Sequence, residues 1–212
     1  MPTNNLVVHT RRTPISGVFR IDPEDAISYL PEYLRKTGRR GRRRTTPNAS
    51  FYAKHAPITL DLGIVSTSPE NRVSRVEVAN RSGDITVKLA PKRIYLDVCS
   101  RKGNVVVFLP RNFAGKLKLR SRHGQLIFLP ALSRIMRLAK MRDRDALVFV
   151  GQAADQIDDG TPKSTDACEL YSRSGDIVVG LSGEDTYKRE ETNFWKKLGG
   201  YLRGDVSVEH SA

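Results

Sequence analysis

One short phrase recurs along this chain and constrains its fold more than any other feature. Asn80-Arg81-Ser82-Gly83, Ser100-Arg101-Lys102-Gly103, Ser121-Arg122-His123-Gly124 and Ser172-Arg173-Ser174-Gly175 share a small polar residue, an arginine, a variable residue and a glycine. The first three glycines lie 20 and 21 residues apart, and the fourth follows an insertion. Recurrence at this period marks stacked supersecondary units, each too small to bury its apolar face alone.

The residues around each glycine say what the unit is. Two, four and six positions after it stand Ile85/Val87/Leu89, Val105/Val107/Leu109 and Ile177/Val179/Leu181; the third copy has Leu126 and Phe128 and reaches Pro130 one residue early. Seven and five positions before it stand Val76/Val78, Leu96/Val98, Leu117/Leu119 and Cys168/Leu170. Alternation on both sides of a tight turn predicts strand, corner, strand, with one apolar face throughout. Glycine is expected there because such a corner calls for left-handed backbone. Proline after the second strand (Pro91, Pro110, Pro130) ends the pairing.

The expected class is therefore all-β: a β-solenoid-like stack of strand-turn-strand repeats of about 20 residues, with short helical insertions. An antiparallel β-sandwich, with each copy a hairpin, is the alternative. Near-identical corners favour the solenoid, because a series of hairpins has no need to keep one turn sequence.

Taken in order, residues 1–14 lack periodicity and read as a flexible end, and Ile15–Ile21 alternates like a short strand. Asp22-Pro23-Glu24-Asp25 resembles a helix start that Pro31 limits to about two turns. Residues 1–34 thus form an N-terminal segment with a short strand and helix, and 35–49 a basic linker. The β-repeat domain spans 50–208, beginning with a degenerate copy that has Ala56 in the glycine slot. An insertion at 131–165 holds a short basic helix over Leu132–Met141, a strand over Ala146–Gly151 and a polar loop. Phe194, Trp195, Leu198 and Tyr201 recur at helical spacing near 192–202, which suits a cap over an open core.

Charge is unevenly placed. Lysine and arginine outnumber acids 36 to 23, giving +13, and seven of those cations lie in Arg35–Arg44. Like charges at that density repel, and the glycines among them remove helix preference, so a disordered linker is the default. The functional alternative is a nuclear-localisation signal or a contact for nucleic acid or acidic lipid. There is no N-terminal apolar run of signal-peptide length, and no stretch approaches the roughly 18 apolar residues of a membrane span. A cytoplasmic protein is expected, with the nucleus as the alternative.

Several of these segments together resemble a known family. Ile15-Ser-Gly-x-Phe-x-Ile-Asp-Pro23, the Ser-Arg-x-Gly corners, Leu109-Pro-Arg-Asn-Phe-x-Gly115, Val148-Phe-Val-Gly151 and Trp195-Lys-Lys-Leu-Gly-Gly200 are similar, in that order, to uncharacterised proteins abundant in mushroom-forming fungi. That family is labelled only as a domain of unknown function, and its repeats resemble those of bacterial adhesin-like β-solenoids. The chain departs from its pattern at Arg35–Arg44 and at Ala56. The resemblance implies a fold and carries no catalytic residue.

A search for chemistry returns little. His9, His55, His123 and His210 are scattered without zinc-ligand spacing, and no phosphate loop or nucleophile elbow is present. Cys168 falls on the apolar face and Cys99 on the opposite one with no base beside it. Asp84, Asn104, Gln125 and Asp176 share the slot after the glycine, where a turn role accounts for them better than calcium or glycosidase chemistry. No catalytic residue, metal or cofactor is expected.

The unusual constellation is cationic: Arg81, Arg101, Arg122 and Arg173 would form one column along the corners. Together with Arg35, Lys36, Arg39, Arg40, Arg42, Arg43 and Arg44 they are the candidate polyanion-binding residues. The bland reading is a solvated edge that resists sheet aggregation. The leading functional expectation is a non-enzymatic, adhesin-like scaffold or interaction module with an unidentified protein or glycan partner. The alternative is binding to nucleic acid, acidic glycan or phospholipid. Oligomeric state is not legible.

Overall fold

The computed structural model describes residues 6–22, 47–65, 73–90, 93–151 and 166–187. The helix start after Asp22, the run Arg35–Arg44, the insertion's polar loop (155–164), the aromatic segment 192–202 and the last residues of the 50–208 domain, Gly204–Val208, lie outside the described residues.

Fourteen strands and one short helix are described. The strands are β1 (Leu6–Thr10), β2 (Ile15–Ile21), β3 (Ala49–Ala53), β4 (Ile58–Ile64), β5 (Ser74–Asn80), β6 (Ile85–Leu89) and β7 (Ile94–Ser100). They continue as β8 (Val105–Leu109), β9 (Gly115–Ser121), β10 (Leu126–Phe128), β11 (Met136–Arg142), β12 (Asp145–Val150), β13 (Asp166–Ser172) and β14 (Ile177–Leu181), with helix α1 (Pro130–Ile135) between β10 and β11. They form an eight-stranded sheet, β1-β3-β5-β7-β13-β9-β12-β11, and a six-stranded sheet, β10-β14-β8-β6-β4-β2.

The protein is all-β, and its sheets are mainly parallel. The two strands of each repeat do not pair with each other: one enters each sheet, where it pairs in parallel with its counterpart in the next repeat. The antiparallel pairs are β11–β12 and β12–β9, at one end.

The core lies between the sheets and consists of the positions the alternation singled out. Val76, Leu96, Cys168 and Leu117 are register partners, as are Ile85, Val105, Ile177 and Leu126. All but the half-buried Leu126 are fully buried. Each such aliphatic side chain contributes about 1.5–3 kcal/mol on leaving water. Phe19 and Phe51 meet edge to face, 4.8 Å between centroids, near the β1–β2 end.

In the layout and burial of its elements the structure departs from the sequence expectations in four places. Leu6–Thr10, read as a flexible end, is a strand in register with β3, so β1 and β2 make a further repeat before residue 50. The basic helix proposed for Leu132–Met141 stops at Ile135, because β11 pairs antiparallel with β12.

Third, the repeats are not laid down in chain order. β13 pairs with β7 on one side and β9 on the other, and β14 lies between β8 and β10. The last repeat thus fills a gap between the two before it. Asp166, at the start of β13, accepts hydrogen bonds from Ile94 N at 3.0 Å and Ala114 N at 3.3 Å, clasping both neighbours.

Fourth, β8 and β14 are buried on both faces, which one-sided alternation does not anticipate. Their outward residues Val106, Phe108 and Val178 form a second cluster with Ile127, Leu129 and Tyr187. Chain reversal after β14 brings Asp185 over Gly180, where a Cβ would stand 2.6 Å from Leu129 Cδ1 and 3.0 Å from Asp185 Cβ. The Asp185 carboxylate accepts from Leu181 N at 2.8 Å, Ala131 N at 3.0 Å and Leu132 N at 3.2 Å. It thereby serves the first turn of α1, whose own cap residue, Leu129, offers no side-chain acceptor.

Candidate functional site

The corners are built on a buried polar ladder. Gly103 N donates to Ser100 Oγ at 3.0 Å, Gly124 N to Ser121 Oγ at 2.9 Å and Gly175 N to Ser172 Oγ at 2.9 Å. Asn80 takes that role in its repeat, accepting from Gly83 N at 2.9 Å and donating through Nδ2 to Ala56 O at 2.7 Å. Ser121 Oγ donates to Gly175 O at 3.1 Å, and Ser172 Oγ is 3.3 Å from Gly103 O, so neighbouring repeats are bonded together.

The glycines serve this approach. None of Gly83, Gly103, Gly124 and Gly175 has positive φ, so the expected left-handed backbone is not their reason. A Cβ on each would stand 2.0–2.3 Å from the carbonyl oxygen of Ala56, Gly83, Gly175 and Gly103, respectively. The column order is therefore Ala56, Gly83, Gly103, Gly175, Gly124.

The slot after the glycine forms a second ladder. Asp84 Oδ1 accepts from Asn104 N at 2.8 Å, Asn104 Oδ1 from Asp176 N at 2.9 Å, and Asp176 Oδ1 from Gln125 N at 2.8 Å. These side chains stitch the corners together. Among the described residues, no cluster of histidine, cysteine or carboxylate side chains suits a metal ion.

The cations stand just outside these ladders. Arg81 N donates to Ala53 O, Arg101 N to Asn80 O, Arg173 N to Ser100 O and Arg122 N to Ser172 O, at 3.0–3.2 Å. The four arginines singled out from the sequence are therefore neighbours, in the order 81, 101, 173, 122. The same position is held by Lys54, whose N donates to Thr10 O, and by Arg11 beyond it. Arg11 is hidden from the sequence pattern because its corner, Arg11-Arg12-Thr13, lacks glycine, and Lys54 because the degenerate Ala56 copy carries lysine where the others have arginine; counting back from Ile15 and Ile58 finds both.

Six cationic residues thus spring from backbone positions in one line, about 4.8 Å apart, the distance between hydrogen-bonded strands. The five arginines are exposed and Lys54 is half-buried. Charges held that close would repel by about 1 kcal/mol in bulk water, less in salt. Arg75–Glu77, Arg111–Glu184, Lys118–Glu169 and Arg120–Asp145 are ion pairs that use none of the six. Arg144, in the turn between β11 and β12, donates through Nη1 to Arg122 O and extends the line.

His55 registers the field. Its Nδ1 is 2.9 Å from Ser82 Oγ, and Ser82 Oγ is 3.0 Å from Lys54 O. Partial desolvation, then the charges of Lys54, Arg81, Arg11 and Arg12, hold its pKa below the ordinary value of 6.5. The cysteines lack the activation a nucleophile needs. Burial first, then Asp97, raises the Cys99 pKa, and burial raises that of Cys168. What the corners offer chemically is a row of six cationic residues placed by backbone register.

A family model described as "Domain of unknown function (DUF7330)" matches residues 4–184. The chain belongs to that family. The DUF7330 match takes in every described strand, including β1 and β2, and all six corner cations. No curated protein and no solved structure matches the chain. No helix among the described residues is long and apolar enough to cross a membrane.

Proposed function

We propose that this DUF7330 protein is a non-catalytic, adhesin-like β-repeat interaction module that holds linear polyanions along its row of corner cations. The two-sheet body is read as a β-solenoid: parallel strands alternate between sheets, and equivalent corners lie over one another. In that form the body is a rigid ruler for charge. The single observation carrying the reading is the line Arg11, Lys54, Arg81, Arg101, Arg173, Arg122. Five intervals of about 4.8 Å give a row of roughly 24 Å. The nearby Asp84 and Asp176 carboxylates are directed to backbone N–H groups of the next repeat.

A solvated edge would carry the same cations in the same register, so the two readings are separated by titration. A polymer carrying phosphate or sulfate groups would convert the mutual repulsion into attraction and release its own counterions. Arg35–Arg44 adds charge that could act alone, so the test separates the two. Full-length protein, a variant with Arg81, Arg101, Arg122 and Arg173 changed to Gln, and one lacking 35–44 are titrated with heparin, single-stranded DNA and duplex DNA across salt. The quadruple variant should lose about 0.7–0.9 in salt slope per nucleic-acid contact removed. If the quadruple variant binds all three as the parent does, the corner row is not the contact.

A further inference from the structure

The eight-stranded sheet outruns the six-stranded one. β10 ends the smaller sheet, whereas β12 and β11 extend the larger one past β9. β11 is the last strand, and among the described residues nothing pairs with its outer edge. An open edge is a row of backbone donors and acceptors ready for another strand.

The two faces of β11 differ. Met136, Leu138 and Met141 are opposite Val150, Val148 and Ala146, all core residues, so they lie on the inward face. Among the described residues no further strand lies across from them, and Leu138 is 49% exposed and Met141 54%. Ile135, where the chain enters β11, is 43% exposed. Among the described residues, three of the six large exposed apolar side chains therefore gather in this one segment.

Lys140 and Arg142 are opposite Leu147 and Asp145, on the outward face. With Lys118 and Arg120 they border a shallow cavity of about 230 Å³. Asp145 already pairs with Arg120, N to O 3.3 Å, which leaves the rim cationic.

We propose that the free edge of β11 accepts an extended protein segment in which apolar and acidic residues alternate. The segment pairs its backbone with β11, lays its apolar residues on Leu138 and Met141, and sets its carboxylates beside Lys140 and Arg142. Strand addition of this kind draws affinity from main-chain bonds and specificity from alternate side chains. Each feature excludes a rival occupant. A second copy paired β11 to β11 would set cation against cation, which is destabilising. Nucleic acid would meet the charges but leave Leu138 and Met141 in water.

The test uses the full-length protein and three short peptides: one alternating valine and glutamate, one alternating valine and lysine, and the glutamate peptide with alternate amides N-methylated on the pairing edge. Fluorescence anisotropy reads binding, and circular dichroism confirms that each variant is folded. The glutamate peptide should bind about tenfold or more tighter than either of the others, one decade per 1.4 kcal/mol of lost pairing. Lys140→Glu with Arg142→Glu should reverse the preference between glutamate and lysine peptides. Should that pair fail to fold, Lys140→Ser with Arg142→Ser should erase the preference. Changing Arg81, Arg101, Arg122 and Arg173 to Gln should leave peptide binding unchanged. Equal binding of the N-methylated peptide, a preference indifferent to residues 140 and 142, loss of binding in the corner variant, or no binding would each overturn the assignment. So would Leu138-dependent and Met141-dependent binding to phosphatidylserine vesicles in place of the peptide.

Discussion

Gly103 rests against Gly83 so closely that a Cβ on Gly103 would stand 2.0 Å from the Gly83 carbonyl oxygen. The obstacle is backbone held in two sheets, which cannot swing aside as a side chain would. Gly103→Ala is therefore expected to cost about 3 kcal/mol, at the upper end of overpacking substitutions. Gly183 is the control. It has φ +84° with open space around the missing Cβ, so Gly183→Ala meets backbone strain alone, about 1–2 kcal/mol. Urea unfolding of both variants checks the order; equal losses would mean that the close approach is not what excludes alanine.

Asp166 holds the late-arriving repeat in place. Asp166→Ala strands the Ile94 and Ala114 amides and should cost about 2–4 kcal/mol, while Asp166→Asn keeps one acceptor and costs less. The pH dependence has a definite sign. Burial, opposed by those two amides and Arg93, raises the pKa above 3.8. Ionisation is thus harder folded than unfolded, and the Asp166 contribution declines as pH rises from 3.8 through the folded value. Comparing stability of the parent and Asp166→Asn across pH 3 to 7 should show that decline in the parent alone.

Asp185 behaves in the opposite sense. Desolvation pushes its pKa up, but the amides of Leu181, Ala131 and Leu132, with Arg134 beside them, bring it below 3.8. Its stabilisation is present above 3.8 and is lost as pH falls through the lower folded value. Asp185→Asn should flatten the acid limb of the stability curve. Asp185→Ala should cost about 2–4 kcal/mol at neutral pH, because three backbone donors lose their acceptor.

His55 provides a spectroscopic reading of the corner row. Its imidazole should titrate below 6.5 in the free protein and move upward when heparin screens Lys54, Arg81, Arg11 and Arg12. An NMR titration with and without heparin measures both values. If the His55 pKa stays put while heparin binds, the polymer lies elsewhere.

Much of this architecture can be read from residue spacing. Val76, Leu96, Leu117 and Cys168 share one position relative to the corner glycine, and they share one row in the core. The four arginines share a column for the same reason, since strand register repeats whatever the corner repeats. Less legible were the corner Arg11-Arg12-Thr13, which lacks glycine and follows a strand without clear alternation, and strands buried twice over, such as β14. The outward Val178 is covered by chain that follows at Tyr187, and no local pattern announces such a cover.

The chain alone determined the unit, its inward face and the charge at its bend, because these depend on alternation and turn chemistry within some twenty residues. Only the folded molecule decided which unit lies beside which. The inward rows are aliphatic in every repeat, so any copy can dock on any other with similar burial. Contacts distant in the chain hold the order that results, among them the carboxylate of Asp166 reaching Ile94 on one side and Ala114 on the other.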